Sequence, residues 1–200
     1  MPTSIAFAVN VANLGRVSPP RVESRVLLRR INAGFRAAGL SARAEASFRH
    51  TGNFVVRHPS GERSEVRKSI GRTLRTDCVV ISQSRLDSLV RQLEAFQSPR
   101  RVAGVRWTPG LVLRVDGRPS RTPLRHAPNV RLRSINSSAI AAWKRDYLLP
   151  GTRRLDPQRR AGGWGSVASA VASQLGGTWT ARAISTVVGV LKRAKEAGAA

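Results

Sequence analysis

At 200 residues and 41% apolar side chains, the chain is long and apolar enough to bury a core, which excludes wholesale disorder. Its 35 Lys and Arg, nearly all Arg, stand against 11 Asp and Glu; the net charge of +24 makes a polyanion the expected partner, most commonly nucleic acid. The single cysteine, Cys78, excludes an internal disulfide and fits a reducing, cytoplasmic setting, and no apolar run approaches membrane-spanning length.

Residues 5–11 are apolar without helical spacing and predict a buried strand; they lack the basic lead-in of a secretory signal. After Gly15 and the breaker Pro19-Pro20, Val22, Val26, Leu27, Ile31 and Phe35 fall on one helical face, which Gly39 ends. Residues 44–48 and 53–57 are short extended segments around the break His50-Thr51-Gly52. A second helix starts near Glu62, with Val66, Ile70 and Leu74 spaced by four, and residues 78–82 form the next buried strand, Cys78 included. Ser84 and Asp87 have the spacing of a capping box for a third helix carrying Leu86, Leu89, Val90 and Leu93. This order of strand, helix, strand, strand, helix, strand predicts an α+β fold with a ferredoxin-like βαββαβ unit over residues 1–97.

Ser98-Pro99-Arg100-Arg101 marks the expected boundary to a basic, smaller α+β half over residues 98–200, the two halves being either separate or one compact body. Strands are expected at 102–107, 111–115 and 130–133, with turns at Pro109-Gly110 and Asp116-Gly117. Ser137 or Ser138 is expected to cap a helix carrying Ile140, Trp143 and Tyr147, and residues 150–165 to form a loop. Val167, Val171 and Leu175 predict a short helix stopped by Gly176-Gly177. Thr180 is then a candidate cap for a last helix with Ile184, Val187, Val188 and Leu191 inward.

Three stretches carry a family resemblance. They are Asn13-Leu14-Gly15 ahead of the first helix, Thr51-Gly52-Asn53-Phe54-Val55-Val56, and the C-terminal run of Leu175-Gly176, Thr180, Arg182, Thr186 and Val187. In their order and spacing the chain resembles the bacterial domain-of-unknown-function family 1697 (DUF1697), over residues 4–96 and 147–194. It departs from that pattern at Asn10-Val11, where the family has Arg-Gly, and at Ala183 and Ile184, where Asn and Trp are usual. The resemblance implies an α+β fold of two related halves and brings no settled activity. The matching positions Asn13, Gly52, Asn53, Thr180 and Arg182 would be the walls of a ligand pocket if the domain binds a small molecule or is an enzyme.

Catalytic patterns are missing from the sequence itself. His50, His58 and His126 have no Cys, His or Glu partners at metal-ligand spacing, so neither a metal nor a cofactor is expected. Cys78 has no nearby His, and there is no Gly-x-Ser-x-Gly elbow or Walker loop. Residues 57–62, leading into a helix, read first as a plain turn and cap, with an anion cradle of backbone N–H groups as the lesser alternative.

Binding is better supported. Residues 97–160 hold 15 basic and 3 acidic side chains, half of the whole net charge. The candidate phosphate contacts are Arg100, Arg101, Arg106, Arg118, Arg121, Arg125, Arg131 and Arg133, followed by Arg153, Arg154, Arg159 and Arg160. Trp107 and Trp164 are placed to stack on bases, whereas Trp143 and Trp179 read as core. The expectation is a non-enzymatic, largely sequence-independent nucleic-acid-binding protein, with structured RNA, ribosomal RNA included, ahead of duplex DNA. Its alternatives are the ligand pocket above and a homo-oligomer joined through an open sheet edge. No membrane partner is expected, since no basic helix carries a bulky aromatic face.

Overall fold

The computed structural model describes residues 1–9, 24–48, 52–117, 123–156, 158 and 163–199. The chain is mixed α+β, with two four-stranded antiparallel sheets and five helices among these residues. It divides into two compact units, residues 1–88 with 188–200 and residues 89–187.

The first sheet is formed by β1 (Thr3–Ala8), β2 (Arg43–Phe48), β3 (Asn53–Arg57) and β4 (Cys78–Ser82), in the order β2-β3-β1-β4. Side chains alternate across a strand, so Ala6 and Ala8 of β1 share a face with Phe54 and Val56 of β3 and with Cys78 and Val80 of β4. Against that face lie α1 (Ser24–Ala37), through Leu27, Ile31 and Phe35, and α2 (Arg63–Leu74), through Val66 and Ile70. Ile5 and Phe7 point the other way and are also fully buried. Burial on both faces explains why β1 reads as an unbroken apolar run.

Local polar contacts hold these elements in place. The Asn32 side chain donates to the Ala44 carbonyl at 2.9 Å and accepts from the Ala44 N–H at 2.7 Å, tying α1 to β2 beside a bulge. Helix α3 (Gln83–Glu94) begins two residues earlier than the Ser84 capping box implies, with Ser82 in the capping place: Ser82 Oγ accepts the Arg85 N–H at 3.4 Å.

The second sheet contains β5 (Val105–Asp116), β6 (Val130–Asn136), β7 (Ala139–Tyr147) and β8 (Thr178–Ala183), in the order β6-β7-β5-β8. Helix α4 (Trp164–Leu175) covers one face, packing Val167, Val171 and Leu175 against Val112, Leu132, Ile140 and Ala181. Helix α5 (Ile184–Ala199) follows β8. The strand order repeats that of the first sheet with β5 in the place of β1, β6 of β2, β7 of β3 and β8 of β4. Helix α2 likewise corresponds to α4, and α3 to α5. Helix α1 has no counterpart among the described residues between β5 and β6, where Leu124 and Ala127 pack onto the core instead.

Four expectations for this half are corrected. Pro109-Gly110 is no turn but the middle of β5, where Pro109 pairs with Trp143 and Gly110 with Ala142 and Ala183. Pairing with β8 begins only at Gly110, so the proline lies where one edge of β5 is free, the usual place for a residue without an N–H. Residues 139–147 are a strand and not a helix, because Ser137 and Ser138 form a hairpin turn in which Asn136 Oδ1 accepts the Ser138 N–H at 2.9 Å. Thr180 caps no helix; it lies within β8, between α4 and α5, so the two closing helices are separated by a strand. In α5 the inward residues are Val187, Val190, Leu191 and Ala194, while Val188 is exposed.

Gly110 is required by packing. A Cβ there would collide with the Trp164 ring and lie 2.5 Å from the Arg182 carbonyl oxygen. Gly110→Ala is therefore expected to destabilise the protein by about 1–3 kcal/mol in urea unfolding. A change below about 0.5 kcal/mol, the ordinary range of surface substitutions, would contradict this packing.

Candidate nucleic-acid interface

Opposite α4, the second sheet presents a mixed aromatic and cationic surface. On β6, Val130 and Leu132 point toward α4, so Arg131 and Arg133 point away from it and are exposed. On β7, Ile140 and Ala142 face α4 while Trp143 and Arg145 share the far face. Trp107 of β5 is paired directly with Arg145, and Arg131 with Trp143. These side chains and the segment after α3 enclose a groove of about 420 Å³, lined by Arg100, Trp107, Arg131, Arg133, Trp143 and Arg145 among others, with no carboxylate among the described residues of its wall.

The guanidinium groups are ordered by rings, not by acids. Arg133 lies 4.1 Å from the Phe96 ring centre, and Arg145 lies 5.0 Å from that of Trp107 and 6.0 Å from that of Tyr147. Phe96 in turn packs on Trp143 at 6.3 Å between ring centres. The Trp107 indole N–H donates to the Arg100 carbonyl at 3.3 Å, and the Tyr147 hydroxyl donates to Asn129 Oδ1 at 2.8 Å. His126 Nδ1 accepts the Leu132 N–H at 3.2 Å, which leaves Nε2 as the protonated nitrogen of the neutral ring. Among the described residues Arg100, Arg131, Arg133 and Arg145 form no ion pair, and Arg145 Nε is buried without a hydrogen-bond partner.

The remaining candidates are distributed differently. Arg106 occupies the opposite face of β5 from Trp107, across from Asp146, a carboxylate bonded by Lys144 Nζ and by Thr108 Oγ1. Arg101 is exposed after α3, and Arg125 is exposed where its backbone N–H meets Gln174 Oε1 at 2.8 Å. Arg153 and Arg154 are exposed in the turn after β7. Trp164 is packed over Gly110 on the α4 face and is not brought together with Trp107. Arg118, Arg121, Arg159 and Arg160 lie outside the described residues, as do His50 and Asn13.

Of the matched positions, Gly52 and Asn53 belong to the first unit and Thr180 and Arg182 to the second. Gly52 has φ 73°, a left-handed conformation that suits glycine, and its carbonyl accepts the Ala8 N–H at 2.8 Å. Asn53 is fully buried and donates to the Phe48 carbonyl at 3.0 Å. Arg182 donates to Thr180 Oγ1 at 2.8 Å, and burial lowers its pKa to about 10, so it stays charged at neutral pH. All four described positions thus have local structural partners.

The segment over residues 57–62 is built as a turn. His58 is buried, with Nδ1 donating to the Pro59 carbonyl at 2.7 Å and Nε2 accepting from Ser4 Oγ at 2.9 Å. Glu62 and Glu65 stand at the start of α2, where their charges satisfy the dipole that would otherwise draw an anion. Among the described residues no three His, Cys, Asp or Glu side chains are grouped to hold a metal, and no helix is long and apolar enough to cross a membrane.

Arg145 is the groove residue that sequence reasoning missed, because residues 140–147 read as a helix. Its signal was the period-two order Trp143, Arg145, Tyr147. No family model, curated protein or solved structure matches the chain.

Cys78 is buried, and desolvation raises its thiol from an ordinary value near 9 to about 11. The folded state therefore holds this proton where the unfolded state has lost it, so the associated stability is full below pH 9 and disappears as pH rises to about 11. At pH 8 a thiol reagent is expected to modify the native protein at least about a hundredfold more slowly than the urea-unfolded chain. Comparable rates would contradict the buried placement.

Proposed function

We propose that the protein is a non-enzymatic nucleic-acid-binding protein of low sequence specificity, with structured RNA preferred to duplex DNA and a cytoplasmic setting. The observation that carries this reading is the convergence of Arg100, Arg131, Arg133 and Arg145 on one groove without a carboxylate among its described walls. Uncompensated guanidinium groups facing one opening repel each other, and a phosphate backbone relieves that repulsion while engaging their forked donors. The tryptophan among them adds a surface on which bases stack, which an anionic protein patch would not use.

The first unit serves as scaffold in this reading. Its element order and antiparallel sheet order support a ferredoxin-like unit, and the matching strand order of the second sheet supports the resemblance to two-halved family 1697. A small-molecule role at Gly52, Asn53, Thr180 and Arg182 has less support, since these residues are engaged within the fold.

Fluorescence anisotropy of the full chain against an RNA hairpin and a DNA duplex tests the proposal. Six to eight phosphate contacts would give log K against log salt a slope of roughly −5 to −7. Arg131→Ala or Arg133→Ala should flatten that slope by about 1 each while leaving the fold intact by circular dichroism. Micromolar or weaker binding to both nucleic acids at about 50 mM salt would overturn the reading.

A further inference from the structure

A duplex and an unpaired strand offer different chemistry to this groove. In a duplex the bases are stacked on one another, and a protein face meets chiefly phosphates and sugars. An unpaired nucleotide also exposes the flat face of its base, which stacks on aromatic rings or on a guanidinium plane. Phosphate attraction alone would be served by arginines on any exposed surface, as at Arg153 and Arg154. The groove differs in that each of two guanidinium groups lies on a ring, Arg145 on Trp107 and Arg133 on Phe96.

This arrangement makes a layered shelf. Trp107 is only half-buried, and its indole N–H is anchored on the Arg100 carbonyl, so the ring is held at the groove wall. Arg145 is held across from it by strand pairing and retains one buried donor, Nε, with no acceptor. A buried donor left unpaired is costly, and an acceptor on an entering base or phosphate would relieve it. Arg131 and Arg133 stand two residues apart on the neighbouring strand, on the same face, at about 6.6 Å along its axis. The volume of about 420 Å³ falls in the range of small-ligand sites and suits one nucleotide, not a helix.

We infer that the groove on β5, β6 and β7 receives a single unpaired nucleotide of a folded RNA, its base against the Trp107 and Arg145 shelf and its phosphate on Arg131 and Arg133. This rests on the nucleic-acid reading and adds which part of the RNA is recognised: a bulged or looped-out residue beside a helix, whose phosphates meet the surrounding arginines.

The test compares three labelled probes on the full chain by anisotropy at one salt concentration. They are a perfect RNA duplex, the same duplex with one bulged nucleotide, and a free mononucleotide. The bulged duplex should bind about 5- to 100-fold more tightly than the perfect one, the range expected for stacking one base. Trp107→Ala should bring the ratio of bulged- to perfect-duplex affinity to about 1. Arg145→Lys, which keeps the charge and loses the plane, should also lower the ratio of bulged- to perfect-duplex affinity, and it guards against misfolding of the first variant. Equal affinity for the two duplexes would overturn the inference while leaving general binding in place. Loss of binding to both would overturn the general reading with it. A free mononucleotide held as tightly as the bulged duplex would overturn the assignment to a nucleotide within a strand.

Discussion

The register of β7 against β5 is the constraint on which the second unit depends. It sets Trp107 opposite Arg145 and Pro109 opposite Trp143, and by alternation it sends Ala142, Lys144 and Asp146 to the face that α4 covers. A slip by one residue would exchange the two sets, bringing Arg145 into the apolar layer beside Val171 and turning Ala142 outward. The cost of burying that charge without a partner makes the observed register the only economical one. Gly110 enforces it from the other side, because only a residue without a Cβ lets Trp164 close over the strand.

How the arginines are stabilised matters for what they remain able to do. An exposed cation–π contact contributes about 0.5–1 kcal/mol, close to what an exposed salt bridge supplies. The two differ in what they leave behind: a carboxylate cancels the charge, whereas a ring only orients it. Arg133 on Phe96 and Arg145 on Trp107 are therefore placed without being neutralised. By contrast, Lys144 is paired with Asp146 on the opposite face, where a lone charge beside the core would be destabilising.

The first unit was legible in the sequence almost element by element, because its two covering helices show clean spacing of four in Leu27, Ile31, Phe35 and in Val66, Ile70. The second was legible only in part. Strand β7 is buried on both faces in its first half, so Ile140 to Trp143 lacks polar alternation, and Ser137-Ser138 before it mimics a helix cap. Pro109-Gly110 is turn chemistry used inside a strand, where the reason lies in a tryptophan 54 residues away. Thr180 fails as a cap for the same kind of reason, since β8 is recognised through its pairing with β5 and not through its own pattern. The arginines of the groove were visible as composition. Which of them share a face was not, because facing follows from the strand assignment that the sequence obscured.

Charge and shape in this protein have different lifetimes. The surplus of +24 belongs to the covalent chain and survives loss of structure, whereas the pairing of Trp107 with Arg145 exists only while two strands stay in step. An unfolded copy is still a polycation, drawn to any polyanion it meets, but it no longer has a shaped recess. Under the proposed function, any preference among polyanions would be a property of tertiary structure laid over an attraction that needs none.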